Sequence, residues 1–156
     1  MSGRHRRDRR IPPHLQDQVE AAEAEVKRTT STAARGMRVP VSTHHANDGS
    51  DPILDAMLKQ IRTAAQDDEL QHCPHDGSPQ PMFLEWWRKP WTVRCSPCNG
   101  LAARPSELEE NTCANCGHVD SKGTWPIYAA LGSVMVSLGR CDDCAPRGNR
   151  PKSGRS

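Results

Sequence analysis

The chain has 156 residues, a formal net charge of +2 and a hydrophobic fraction of only 35%. This length and composition predict one small domain with attached segments and exclude a large apolar core. The few aromatic residues all lie between Phe83 and Tyr128, inside the stretch that also holds every cysteine, so the core is expected there.

The N-terminus is rich in arginine, and no apolar stretch follows it as a secretory signal would require. The longest apolar run, from Tyr128 to Leu138, is too short to span a bilayer and is interrupted by glycine and serine. We therefore expect a cytoplasmic protein with no membrane partner and no small-molecule substrate.

Both ends of the chain are basic. Residues 1–10 carry a net charge of +4 and residues 145–156 also carry +4, so the middle carries +2 − 8 = −6. Residues 1–12 and 147–156 are predicted to be disordered basic tails. Either they contact nucleic-acid phosphates, through Arg4, Arg6, Arg7, Arg9 and Arg10 at the N-terminus, or they only keep the ends solvated.

Two helices are predicted before the cysteines. Over residues 13–36, Leu15, Val19, Ala22 and Val26 recur at helical spacing, but this narrow stripe is marginal alone and is expected to need a partner. Residues 37–50 are interpreted as a linker, and no chemistry is expected from its adjacent histidines.

Residues 51–71 are predicted to form an amphipathic helix. Asp51 is its expected N-cap, and Pro52 suits the first helical position because it lacks an N–H. Its apolar face, which includes Leu54, Leu58 and Ile61, either packs on the cysteine-rich module or contacts a partner protein.

A short segment from Met82 to Arg94 combines aromatic and basic side chains. Arg88, Lys89 and Arg94 lie beside three tryptophans, an arrangement that could stack bases and contact phosphates. The same tryptophans could instead form the small core, so both interpretations stay open.

The cysteines carry the strongest signal. Six of the seven form three Cys-x-x-Cys pairs, and the seventh, Cys73, is followed by His75. Such pairs place two thiolates at the separation that a tetrahedral metal needs, so the stretch 72–146 predicts a module with two structural zinc ions. The predicted ligands are Cys73, His75, Cys95, Cys98, Cys113, Cys116, Cys141 and Cys144. A module this small is expected to fold only with metal.

Two details of the ligand set stay open. His75 is preferred over His72 and Asp76 as the partner of Cys73, because Cys₃His is a common structural set. Sequential pairing, with Cys73 to Cys98 on one ion and Cys113 to Cys144 on the other, is preferred over a central ribbon or a cross-brace. Alternating apolar residues predict a strand before Cys95 and another before Cys141. In each predicted site a strand therefore leads into the second pair of ligands.

Other uses of the cysteines are less favoured. Disulfides need an oxidising compartment and an even count, whereas the chain has seven cysteines. A thioredoxin-like motif would not recur three times, although an iron–sulfur cluster remains an alternative. Eight ligands fill two ions, which argues against an open catalytic zinc site.

The knuckles resemble two general zinc-finger classes. Residues 72–104, in which Cys98 precedes Asn99-Gly100-Leu101, resemble a treble clef, and Cys113-Ala114-Asn115-Cys116-Gly117 resembles the knuckle of a zinc ribbon. The resemblance implies a small α+β fold of two zinc units. Nucleases of the His-Asn-His type share the treble clef, but between Cys73 and Cys95 only His75 is present and it is assigned to the metal, so that activity is rejected.

The sequence therefore predicts a non-enzymatic zinc-binding protein. One hypothesis is a nucleic-acid-associated protein linked to transcription or translation, in a high-GC bacterium or its phage because arginine greatly outnumbers lysine. The alternative is a structural or interaction module that docks its helices 13–36 and 51–71 on a larger assembly such as a ribosome, a polymerase or a virion.

Overall fold

The computed structural model describes residues 13–36, 42–45, 51–75 and 77–145. These ranges contain four helices and six strands, in agreement with the predicted small α+β class. The helices are α1 (Pro13–Gly36), α2 (Pro52–Gln66), α3 (Ser96–Leu101) and α4 (Glu107–Asn111). The strands are β1 (Ser42–His45), β2 (Gln71–His72), β3 (Met82–Glu85), β4 (Thr92–Cys95), β5 (Trp125–Leu131) and β6 (Val134–Arg140).

One sheet organises the molecule, with the strand order β1-β5-β6-β3-β4 and the two-residue β2 added beside β4. Strands β3 and β4 pair antiparallel, and so do β5 and β6. A parallel pairing of β3 with β6, from Met82↔Val134 to Glu85↔Ser137, joins the two hairpins. The two zinc-finger units that the sequence suggested therefore share one continuous sheet.

Helix α2 covers one face of this sheet. Asp51 caps it by accepting a hydrogen bond from the Leu54 N–H at 3.1 Å, and Pro52 occupies the first turn as predicted. The apolar side chains of α2 are buried against inward-facing residues of β3, β4, β5 and β6. The main members of this core are Leu54, Leu58, Ile61, Leu84, Trp86, Val93, Ile127, Ala129, Val136 and Leu138.

The predicted helix 51–71 is too long. Helix α2 ends at Gln66, where the Asp67 N–H bonds to the Thr63 carbonyl, and Asp68 has a positive φ of 56° that a helix cannot continue. The following residues then form β2, so the chain reverses into the sheet at a point where the sequence has no glycine or proline to mark the turn.

Helix α1 covers part of the opposite face. It contacts β5, β1 and β6, and its side chains Ala22, Val26 and Thr30 are buried. Ala130, which points away from the α2 core because side chains alternate along a strand, is buried on this face. The inner part of the stripe that was expected to contact a partner thus packs on the chain's own sheet, while Leu15 and Val19 are half-buried.

The interpretation of residues 37–50 as a linker is wrong at Ser42–His45. This segment forms β1, which pairs parallel with β5 from Ser42↔Ile127 to His45↔Ala130. Its sequence, Ser-Thr-His-His, has no apolar alternation, and its partner lies more than 80 residues away, so no local pattern could predict the pairing. The remaining residues of the predicted linker and both predicted tails lie outside the described ranges.

Within the described part of the chain, no helix combines the length and the apolar composition that crossing a bilayer requires.

Candidate metal centres

The first cluster lies where three elements of the chain meet. Cys73 and His75 follow β2, Cys95 ends β4, and Cys98 lies in the first turn of α3. The four candidate ligand atoms all lie within 4.8 Å of one another. His75 presents Nδ1 to the cluster, at 3.2 Å from the Cys98 Sγ and 3.8 Å from the Cys95 Sγ.

The second cluster is built by two turns. Cys113 and Cys116 follow α4, and Cys141 and Cys144 follow β6. Their sulfur atoms also lie within 4.8 Å of one another, and the Sγ atoms of Cys116 and Cys141 are 3.8 Å apart. In both turns a backbone N–H bonds back to the first cysteine, from Gly117 to the Cys113 carbonyl at 2.9 Å and from Cys144 to the Cys141 carbonyl at 3.0 Å.

These distances fit a tetrahedral metal. With Zn–S bonds of about 2.3 Å and Zn–N bonds of about 2.0 Å, two sulfurs on one ion should lie about 3.8 Å apart, and a sulfur and a nitrogen about 3.5 Å apart. A disulfide would instead require about 2.05 Å, and each of the seven cysteines is free. Both clusters could therefore each hold one metal ion.

In the first cluster the pKa of one thiol is lowered and the pKa of another is raised. The Cys95 N–H donates to the Cys73 Sγ at 3.3 Å, and this bond is the main cause that lowers the Cys73 pKa to about 7. The pKa of Cys98 is raised to about 11, first by its contact with the Cys95 side chain and then by burial. Close thiolates resist joint ionisation, and a bound cation would neutralise them.

The second cluster shows the same contrast. Burial raises the pKa of Cys113, but the N–H groups of Cys116, Cys141 and Asn115 outweigh it and lower the value to about 6. Burial raises the pKa of Cys141 to about 12. Asn115 also donates its side-chain Nδ2 to the Cys144 Sγ at 3.3 Å. A cation inside the cluster would remove this conflict, which is the second reason why a metal fits.

The structure groups the eight predicted ligands in the sequential arrangement. His75, and not His72, contributes to the first cluster, because His72 is an exposed residue of β2 outside the group. Asp76, the third candidate, lies outside the described residues. The Cys₃His and Cys₄ donor sets are those that structural zinc prefers.

A buried arginine that was not among the residues predicted from the sequence lies beside the second cluster. The side chain of Arg140 is only 2% exposed; its Nη2 donates to the Cys144 carbonyl, and its Nη1 pairs with Asp51 Oδ2. Val134, Val136 and Leu138 point into the core from alternate positions of β6, and Arg140 is the next residue in this series. The side-chain alternation of a strand therefore predicts that Arg140 points inward. Arg140 thereby links the metal turn to the N-cap of α2.

The basic side chains of the β3–β4 hairpin are largely engaged within the protein. Arg88 forms an ion pair with Glu85, and the Arg94 Nη1 lies 3.9 Å from the Glu85 Oε2. Both arginine side chains are only about one-fifth exposed. Lys89 is exposed and places its Nζ 5.4 Å and 5.0 Å from the ring centroids of Trp86 and Trp91.

The tryptophans of this hairpin belong mainly to the core. Trp86 is buried, and Trp91 packs against it with the ring centroids 4.9 Å apart. The Trp91 Nε1 donates to the Trp86 carbonyl at 3.0 Å. This arrangement favours the core interpretation over base stacking. The predicted contacts Arg4, Arg6, Arg7, Arg9 and Arg10 lie outside the described residues.

Comparisons with protein-family models, with curated proteins and with solved structures gave no match for this chain.

Proposed function

We propose that the chain is a non-enzymatic binding module whose fold is held by two zinc ions and which engages a protein partner. The observation that carries the proposal is the completeness of both clusters. Each one brings four ligand atoms within 4.8 Å of one another, which fills a tetrahedral coordination shell. Catalytic zinc sites usually have three protein ligands and keep one position for water or substrate, so these clusters have the composition of structural sites.

The choice of a protein partner rests on charge. The described residues carry 16 acidic and 11 basic side chains, which gives 11 − 16 = −5. Two zinc ions would make this more negative, because seven cysteine ligands would lose seven protons while the ions add four charges. Arg88 and Arg94, two of the predicted phosphate contacts, already pair with Glu85. A surface of this sign repels nucleic-acid phosphates and suits a basic protein surface.

The proposal is tested by affinity purification of the full-length chain from its native cells. The sample is divided, one half is treated with nuclease, and metal is counted by native mass spectrometry. We expect about two zinc ions per chain and a defined protein complex that survives nuclease. Loss of every partner on nuclease treatment would contradict the proposed partner class. A folded chain without metal would contradict the zinc framework.

Nucleic-acid association is the second candidate, and the basic ends of the sequence favour it. Residues 1–10 and 145–156 each carry +4, and Lys89 is an exposed cation over two tryptophan rings. Removal of the three basic elements, Arg4–Arg10, Arg88/Lys89 and Arg147–Arg155, should abolish binding and flatten its salt dependence in a fluorescence-anisotropy titration. Unchanged affinity in that variant would exclude this candidate.

A further inference from the structure

A cavity of about 330 Å³ lies between α4 and the face of the sheet opposite the α2 core. Tyr128 and Ser137, which pair directly in the β5–β6 register, are part of its sheet side. Glu109, Glu110 and Asn111 line it from α4, and Trp87 lines it from the loop after β3. The volume is at the lower end of the range for ligand pockets, which suits one long side chain.

The rim of this cavity is held in place by several hydrogen bonds. Ser106 caps α4 by accepting from the Glu109 N–H, and the Glu109 carboxylate accepts from the Ser106 N–H at 2.7 Å. Thr124 Oγ1 donates to the Glu110 carbonyl at 2.8 Å, and the Asp120 N–H donates to the Asn111 carbonyl at 2.9 Å. The cavity is thus preformed and does not require α4 to move.

The lining combines negative charge with aromatic surface. Among the described residues that line it, two are carboxylates, two are aromatic and none is lysine or arginine. The Glu109 carboxylate is engaged first by the Ser106 hydrogen bonds and to a smaller extent by the charge of Arg88. An ammonium or guanidinium group gains from carboxylates and from aromatic faces together. The hairpin shows the same preference where Lys89 lies over Trp86 and Trp91.

A metal cation suits this lining less well. Hard cations take six or more oxygen ligands, whereas this cavity has walls of Trp87, Tyr128, Pro105 and Pro126. The Glu109 Oε2 already accepts two hydrogen bonds from Ser106. The lining therefore selects an organic cation with an apolar stem.

The surroundings indicate that the cation is carried by a polypeptide. Leu108 of α4 is 63% exposed and Val119, which bridges Thr112 at the end of α4, is 48% exposed. These apolar side chains would give a peptide backbone something to pack on beside the cavity. Trp87 also lines the cavity, and its Nε1 is buried without a hydrogen-bond partner in the described part of the chain.

We infer that this cavity, the α4 cavity, receives a lysine or arginine side chain of a basic segment of a partner protein. The inference rests on the proposed function and gives the chemistry of its partner. The side chain would lie between Trp87 and Tyr128, with its cationic end at Glu110 and Glu109.

The test uses the full-length zinc-loaded chain labelled with ¹⁵N at its tryptophan indoles. The probes are N-acetyl-arginine methylamide and N-acetyl-lysine methylamide. N-acetyl-citrulline methylamide, which has nearly the shape of arginine without its charge, is the control probe. The Trp87 indole signal is assigned with Trp87→Phe, and the indole of Trp125, which donates to Asp142, is the internal reference. We expect the cationic probes to shift the Trp87 signal and to bind about tenfold tighter than citrulline.

Two variants on the same helix separate the site from general charge effects. Glu110→Gln removes a carboxylate that lines the cavity, and we expect it to weaken the arginine probe roughly fivefold. Glu107→Gln removes the same charge from α4 at a position outside the lining, and we expect a change of less than about twofold. Equal binding of arginine and citrulline, or equal effects of the two variants, would overturn the inference.

The outcome is distinguishable from that of the proposed function. If a protein complex survives nuclease but the cationic probes do not bind, the partner contacts another surface and only this inference is wrong. If the probes bind but every partner is lost with nuclease, the proposed partner class is wrong.

Discussion

Thr124 packs directly against Gly139 and leaves no space for a side chain at position 139. A Cβ at this position would lie 1.9 Å from Thr124 Oγ1 and 2.8 Å from Thr124 Cβ. Real atoms do not approach so closely, and the Thr124 hydroxyl is held by its bond to the Glu110 carbonyl. Position 139 therefore has to be glycine for β6 and the loop before β5 to meet.

We expect Gly139→Ala to lower the free energy of unfolding by about 1–3 kcal/mol, because Thr124 must move and its hydrogen bond breaks. Thermal unfolding of the zinc-loaded chain measures this. Gly100→Ala is the matched control, since a Cβ there meets nothing within 4 Å, and it should leave the midpoint unchanged or slightly higher. Equal effects of the two substitutions would refute the packing argument.

His75 is the candidate ligand that distinguishes the two clusters. We expect His75→Ala to leave the first cluster with three ligands and to reduce its zinc affinity by at least about tenfold, as read by chelator competition and native mass spectrometry. His75→Cys should restore binding, because it completes a Cys₄ set.

His72→Ala is the control for this prediction, since His72 lies outside the cluster. Loss of zinc in the His72 variant comparable to that in the His75 variant would show that the wrong histidine has been assigned.

At the scale of elements, helix α2 is tied to the second cluster by a buried ion pair. Asp51 caps α2 with its Oδ1 and pairs with Arg140 through its Oδ2, while Arg140 also donates to the Cys144 carbonyl. The two residues are 89 positions apart in sequence. The start of the helix and the end of the Cys141–Cys144 turn are therefore a single hydrogen-bonded unit.

We expect Asp51→Asn to lower the free energy of unfolding by about 3–5 kcal/mol, although asparagine is itself a good N-cap, because Arg140 becomes a buried unpaired charge. The double variant Asp51→Asn/Arg140→Met should recover much of this loss. Chemical denaturation of the four proteins in the cycle measures the coupling. Additive single effects would show that the pair contributes nothing.

Part of this architecture could be predicted from sequence, because its signals are local. The Asp51-Pro52 start and the apolar face of α2, the alternation in β6, and the Cys-x-x-Cys pairs each lie within a few residues. The β1–β5 and β3–β6 pairings join distant segments, and no local pattern specifies them. The apolar stripe of α1 was visible, but the sequence could not show that the chain's own sheet would cover it. The alternation of buried residues along β6 predicts that Arg140 points into the protein interior. The general rule that charged residues are exposed predicts the opposite, and here the alternation is correct.

At the scale of the whole molecule, the two clusters border a common sheet. The candidate ligands of the first lie after β2, at the end of β4 and in α3. Those of the second follow α4 and β6, and β3 pairs with β6 between the two clusters. Two independent zinc fingers joined by a linker would lack this connection. The fold therefore predicts that metal binding at one cluster strengthens metal binding at the other.

We expect Cys144→Ser, which disables the second cluster, to speed zinc release from the first by several-fold, on the order of the three- to tenfold that about 1 kcal/mol of coupling gives. The rate is followed with a chromogenic chelator. Glu107→Gln, a surface change on the connecting helix α4, is the control. Identical release rates in the wild-type and Cys144→Ser chains would mean that the clusters act independently.

The contact between Trp86 and Trp91 has an optical consequence. Two indole rings whose centroids lie 4.9 Å apart and whose planes are tilted by 47° can couple their electronic transitions, which produces paired bands of opposite sign in the circular dichroism spectrum. The pair exists only while β3 and β4 hold the two rings together at the turn end of their hairpin. Adding zinc to metal-free chain should therefore make this signal appear, and its amplitude would follow the folding of the sheet without any attached dye.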